Sequence, residues 1–189
     1  KSLIKLPFYI INKKNLTNRR ACDTVFSRLR LNHGSGRMEQ ARKVSDSLIS
    51  RDRTVNKRKI CGVHYHEEHE LYYMQEGRTT YFIDDEIYGV EKGDFVFVAR
   101  GILHGTDSGE CKKNARILLN FPDSVFVQEA EPLYRELLGG PVIHVHGEQR
   151  GELEELFLKI EKEYNQKEPY QDILIHSYIR ELLVRLCRC

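Results

Sequence analysis

The chain has 189 residues, 40% hydrophobic and 31% charged, with a formal net charge of +2. That length suits one medium domain with appendages and can bury a core without staples. No apolar run approaches the ~20 residues of a membrane span, and the stretch from Lys1 to Phe8 is too broken by charge and proline to read as a signal peptide.

The five cysteines, Cys22, Cys61, Cys111, Cys187 and Cys189, are odd in number and lack metal-knuckle spacing. Reduced thiols in a cytoplasmic protein are the ordinary reading. Charge is divided unevenly. Residues 1–59 carry 16 Lys/Arg against 4 Asp/Glu, and residues 60–189 carry 14 against 24. A basic arm can touch nucleic acid, but no helix-turn-helix or aromatic interleaving accompanies this one. A tail, loose or docked on its own acidic body, is the simpler expectation.

Residues 1–37 read as a basic extension that closes on the flexible run His33-Gly34-Ser35-Gly36-Arg37. The expectation is a non-native addition, with the barrel protein starting near Met38. Met38 to Ile49 has loose helical spacing and predicts a short helix, followed by a lead-in to residue 59. From Ile60, short Val/Ile/Tyr/Phe-rich segments alternate with turn residues. The predicted strands are Ile60–His66, Leu71–Gln75, Arg78–Ile83, Ile87–Val90, Phe95–Ala99, Ala115–Phe121 and Val142–His146. Such spacing argues an antiparallel sandwich or barrel over residues 60–147. Two amphipathic helices are expected over residues 148–189. Leu153, Leu156, Phe157, Ile160 and Tyr164 mark one face of the first. The second follows Pro169 and carries Ile175, Tyr178, Ile179, Leu182, Leu183 and Leu186. That stripe can cover the barrel or form a dimer seam. It ends in mid-pattern at Cys189, as expected of a helical dimerisation and linker segment truncated before a further domain.

The sharpest local signal is His64-Tyr65-His66-Glu67-Glu68-His69-Glu70. On a strand, His64 and His66 point to one face and can share a metal. Glu70 can add an oxygen, and His104 is the obvious fourth donor. Three His and one carboxylate suit Fe, Mn, Ni, Co or Zn. His69 reads as an exposed loop residue. His144-x-His146 repeats the spacing without a carboxylate and is given no metal role. Tyr72 and Met74 share the parity of Glu70 and are expected on the inner face. Tyr81 and Arg78 differ by an odd number and cannot both point in. Arg100 and Asp107 flank His104 and are candidates to bond an effector.

The pattern His64-x-His66-x3-Glu70-x6-Gly77 resembles the first motif of cupins, and Gly93-x5-Ala99-x-Gly101-x2-His104 resembles the second. Gly77, Gly93 and Gly101 then sit where the chain must turn tightly, often with positive φ. Arg58, Ala99 and Ser108 depart from the cupin pattern without removing a ligand. The fold implied is mainly β: a single cupin jelly-roll barrel followed by two amphipathic α-helices. Over roughly residues 55–188, with Leu71-Tyr72-Tyr73, the final strand and the helix pair, the chain is similar to the N-terminal domain of AraC-type transcription regulators. The resemblance implies a small-metabolite effector, such as a sugar, bound by His64, His66, Glu70, Tyr72, Met74 and His104. It also implies a homodimer, no catalysis by this chain, no membrane partner, and DNA contact through a C-terminal helix-turn-helix part absent here. The His64, His66, Glu70 and His104 set either holds a divalent metal (Zn, Ni, Fe or Mn) or serves as a polar effector site. The alternative is a small metal-dependent cupin enzyme, a dioxygenase or isomerase, which explains the ligands but not the helices.

Overall fold

The structure, a computed structural model, describes residues 48–55, 57, 59–126 and 131–189. Two antiparallel sheets face each other. One runs in the order β1 (Ile49–Val55), β8 (Lys113–Phe121), β3 (His69–Glu76), β6 (Asp94–Val98) and β9 (Val142–His144). The other runs β2 (Ile60–His64), β7 (His104–Asp107), β4 (Arg78–Ile83) and β5 (Glu86–Glu91). Three helices are present among the described residues: α1 (Glu131–Gly139), α2 (Gln149–Gln166) and α3 (Gln171–Leu186). This is the mainly β jelly-roll followed by helices that the sequence predicts.

Local rules explain the joints. Gly77, between β3 and β4, adopts a φ of 92°, and a Cβ there would lie 2.1 Å from the Lys113 carbonyl oxygen. Only glycine fits both the backbone angle and the space. The mouth loop after β6 turns on Gly101, whose N–H donates to the His66 carbonyl at 2.8 Å.

The five-stranded sheet is buried on both faces. Along β3, His69 to Met74 are all buried, so the strand reads as a continuous run rather than an alternation. Its inner face contributes Tyr72 and Met74 to a cluster with Tyr81, Val90, Val96 and Val98 inside the barrel. Its outer face contributes Leu71 and Tyr73 to a larger cluster with Phe95, Phe97, Leu119 and Phe121. The helices close over that outer face with Leu153, Leu156, Phe157, Ile160, Ile179 and Leu182. Each such side chain withdrawn from water contributes about 1.5–3 kcal/mol.

Five elements differ from the sequence reading, counting β9, which ends at His144 and not at His146. Ile49–Val55 is a strand, so the predicted helix does not include Ile49, and its residues up to 47 lie outside the described residues, as does the 1–37 extension. In β1, Arg51, Asp52 and Arg53 mask the strand signal, and all three find ion partners. The strand predicted over Ile60–His66 ends at His64. β7 has only four residues and includes a glycine, too short to stand out. α1 is additional, whereas the last helix follows Pro169 as predicted.

Candidate metal centre

The barrel's inner face brings His64, His66, His104 and Glu70 together. β2 and β7 pair antiparallel with His64 directly opposite His104. His66 follows β2 and is fixed by the mouth loop. Glu70 enters from β3 in the opposing sheet. One ring nitrogen from each histidine lies within 4.8 Å of the other two. His64 and His104 have ring centroids 4.4 Å apart, and His66 and His104 4.8 Å. Glu70 Oε2 is 3.5 Å from His66 Nε2 and 3.8 Å from His104 Nε2.

Each imidazole is oriented by the backbone. Nδ1 of His64 meets the Gly62 carbonyl, Nδ1 of His66 the Glu68 carbonyl, and Nδ1 of His104 the Ile102 carbonyl, each at 2.8 Å. A carbonyl only accepts, so Nδ1 carries the proton and Nε2 is left as a lone-pair donor in the neutral ring. This is the backing that metal-bound histidines require. Nε2 of His66 and of His104 are buried without a hydrogen-bond partner. Two buried acceptors facing a buried carboxylate repel one another unless a positive charge sits between them. A divalent cation meets that need, and the residues fit one.

Without a metal, protons on these rings supply the positive charge. Burial pushes the Glu70 carboxyl up, but the His104 and His66 imidazoles and the Tyr81 hydroxyl outweigh it and hold it well below the usual carboxylate range. Tyr81 donates to Glu70 Oε1 and so fixes the carboxylate. Burial and that carboxylate together drive the Tyr81 phenol well above its ordinary value. Cys61, with Sγ 3.9 Å from His64 Nδ1, raises the His64 imidazole to about 9.

Tyr72 and Met74 lie on the inner face one and two residue pairs along from Glu70. Tyr72 packs edge-on to Tyr81 at 5.2 Å, and its hydroxyl donates to Met74 Sδ at 3.9 Å. Of the Arg78 and Tyr81 pair, Tyr81 points in and Arg78 is exposed. Arg100 turns outward to pair with Asp123 and Glu67. Asp107 Oδ1 accepts from the Gly109 N–H at 2.9 Å. His144 and His146 are exposed on the far side of β9, where His144 Nδ1 meets Asp94 at 2.8 Å.

His69 corrects the sequence reading. It is 1% exposed, not a surface loop residue. Its ring lies among Phe97, Phe121, Phe126 and Tyr134, and Nε2 meets Asp123 Oδ1 at 2.6 Å. Parity with Leu71 on β3 would have placed it on the outer face. Three inner-face groups also escaped notice. Arg116, Asn120 and Thr106 have no motif around them, and only the β8 and β7 registers bring them inside.

Residues 53–119 match the cupin-domain family model. Among solved structures, oxalate decarboxylase from Bacillus subtilis aligns at 26% identity over 43% of this chain and 22% of its own, with a TM-score of 0.35. The AraC-like transcriptional activator CuxR aligns at 18% identity over 66% of this chain and 43% of its own, with a TM-score of 0.49. Salicylate 1,2-dioxygenase from Pseudoaminobacter salicylatoxidans aligns at 15% identity over 37% and 21%, with a TM-score of 0.34. This chain thus spans under half the length of each. No curated protein matches it. Among the described residues, no helix is long and apolar enough to cross a membrane.

Proposed function

We propose that this chain is the effector-sensing domain of an AraC-type transcription regulator, with His64, His66, Glu70 and His104 holding a divalent metal (Mn, Fe, Ni or Zn) as part of the effector site. One observation carries the reading. β3 bears site residues on one face and the helix contacts on the other. Glu70 and Tyr72 face the barrel interior, while Leu71 and Tyr73 face α2. Tyr73 stacks on Phe157 with centroids 5.9 Å apart, and its hydroxyl donates to Glu154. A ligand that repositions Glu70 therefore bears on α2 through the adjacent residues of one strand. Such direct packing is what a two-state readout needs.

When bound, the metal supplies Lewis-acid polarisation of an oxygen ligand. The chain's own residues orient it. The three carbonyls fix the imidazole tautomers, and Tyr81 holds Glu70. In this reading the chain catalyses nothing, a second copy pairs through α2 and α3, and a helix-turn-helix segment of the full protein binds DNA. The donor set favours one second reading. Four protein donors leave two positions of a six-coordinate ion for substrate, as a dioxygenase or isomerase would require.

The test has two arms. The gene beyond the codon for Cys189 should encode about 100 residues containing two helix-turn-helix units, and an immediate stop codon overturns the regulator reading. Hydrogen exchange of the full chain with and without Mn(II) should alter protection in α2 and α3. Tight Mn(II) binding with no change in either helix overturns the coupling through β3, and leaves the enzyme reading in its place.

A further inference from the structure

We infer that Arg116 makes the barrel selective for small dicarboxylates, one end of the ligand meeting the metal centre and the other the guanidinium. This inference rests on the metal reading and adds the ligand class to it.

Arg116 alternates along β8 with Ile117 and Leu119, which face the helices, so it shares the inner face with Leu118 and Asn120. Its side chain is 11% exposed. Among the described residues, this guanidinium with five donors meets the Tyr72 hydroxyl and, at longer range, Asp52 and Thr106. Nε is buried without a hydrogen-bond partner, 3.4 Å from Asp52 Oδ2. Nη1 is 3.5 Å from Thr106 Oγ1, and Cζ lies 5.7 Å from the Tyr72 ring centroid. Asp52 Oδ2 also pairs with Lys59 Nζ. Two cations thus share the Asp52 carboxylate. A nearly buried cation is costly unless an anion completes it.

The placement joins this charge to the metal centre. Thr106 follows His104 by two residues on β7, and Tyr72 follows Glu70 by two on β3. Two residues of strand span about 7 Å. The guanidinium touches both Thr106 and Tyr72, so it lies one residue pair along the barrel from the metal donors. In the metal layer itself, the Asn120 carboxamide oxygen is buried without a partner, directly opposite Glu70 in the β3–β8 register. Metal donors, amide and guanidinium all belong to the barrel's inner face. A planar carboxylate suits a guanidinium with paired donors, and a metal takes the other end of a short diacid.

The probe is succinate, titrated calorimetrically into the Mn(II)-loaded full chain beside succinamate, its half-amide, and inorganic phosphate. Succinate should bind at least ten-fold tighter than succinamate and tighter than phosphate. Arg116→Gln should lose at least ten-fold in succinate affinity while its Mn(II) titration is unchanged. Equal binding of succinate and succinamate, stronger binding of phosphate, or an Arg116→Gln variant that binds succinate like the parent overturns the inference. The succinate and succinamate comparison uses the unmodified chain, so it decides even where the variant does not fold. Mn(II) uptake is the separate readout. A chain that takes up none of Mn(II), Fe(II), Ni(II) and Zn(II) overturns the metal reading and the two-ended contact with it. A chain that takes up Mn(II) yet fails to prefer succinate overturns only the assignment of Arg116.

Discussion

The two faces of the five-stranded sheet are built on opposite terms. The outer face is an apolar seam, in which Tyr73, Phe95 and Phe157 stack within 6.0 Å of one another under α2. The inner face mixes apolar filler with polar atoms left incomplete: two imidazole nitrogens, an amide oxygen and a guanidinium nitrogen. Close packing supplies stability without needing a ligand. Buried polar groups without partners subtract from stability until something completes them. One strand carries both roles at alternate residues, so the outer face stands as the scaffold and the inner face as the site.

The largest expected effect is on the outer face. Phe157→Ala empties the centre of the stack and should cost about 3–5 kcal/mol in urea unfolding. A loss below about 1 kcal/mol would mean that the helices do not hold the sheet, and the contrast between the faces would fail.

Next comes the inner face. Saturating metal at 100 times its Kd should stabilise the parent by about 2.7 kcal/mol. Glu70→Gln and His104→Ala should abolish that gain, and their metal-free stability should change less than in Phe157→Ala. Equal metal stabilisation in parent and variants would dismiss the four-donor centre.

Much of this division was legible in the sequence, because the signals are local. His64-x-His66-x3-Glu70 places its donors within seven residues, and the leucine and isoleucine stripes announce the last two helices. What escaped depends on register between distant segments. Arg116 enters the barrel only because Met74 pairs with it across β3 and β8. His69 is buried only because Asp123 and Tyr134, far along the chain, close over it. β1 hides its strand character behind three charges whose partners lie elsewhere in the fold.

A pH series separates the faces by sign. Cys61 raises His64 to about 9. In the metal-free protein its contribution is therefore full below the ordinary value of 6.5 and is lost as pH rises through about 9. Burial lowers His69, so its contribution is full above 6.5 and is lost as pH falls below that value. Metal needs neutral imidazoles and competes with protons for them. The urea midpoint should therefore fall between pH 6.5 and 9 without metal and rise over the same range with Zn(II). Parallel slopes in the two series would show that His64 does not belong to the metal centre.

The smallest effect tests what joins the helices to the sheet. Arg51 on β1 makes a two-pronged pair with Glu161 on α2, with Nε 2.9 Å from Oε1 and the Nη2 nitrogen 2.8 Å from Oε2. Both side chains are about a third exposed, 36% and 31%, so water and salt screen the attraction. A double-mutant cycle with Arg51→Met and Glu161→Gln should give a coupling of about 0.2–1 kcal/mol, shrinking further in 1 M salt. The aromatic stack lies beneath the same helix and is predicted to hold several times more. A coupling as large as the Phe157→Ala loss would reverse that ranking, and would make the helix layer an electrostatic clamp rather than an apolar lid.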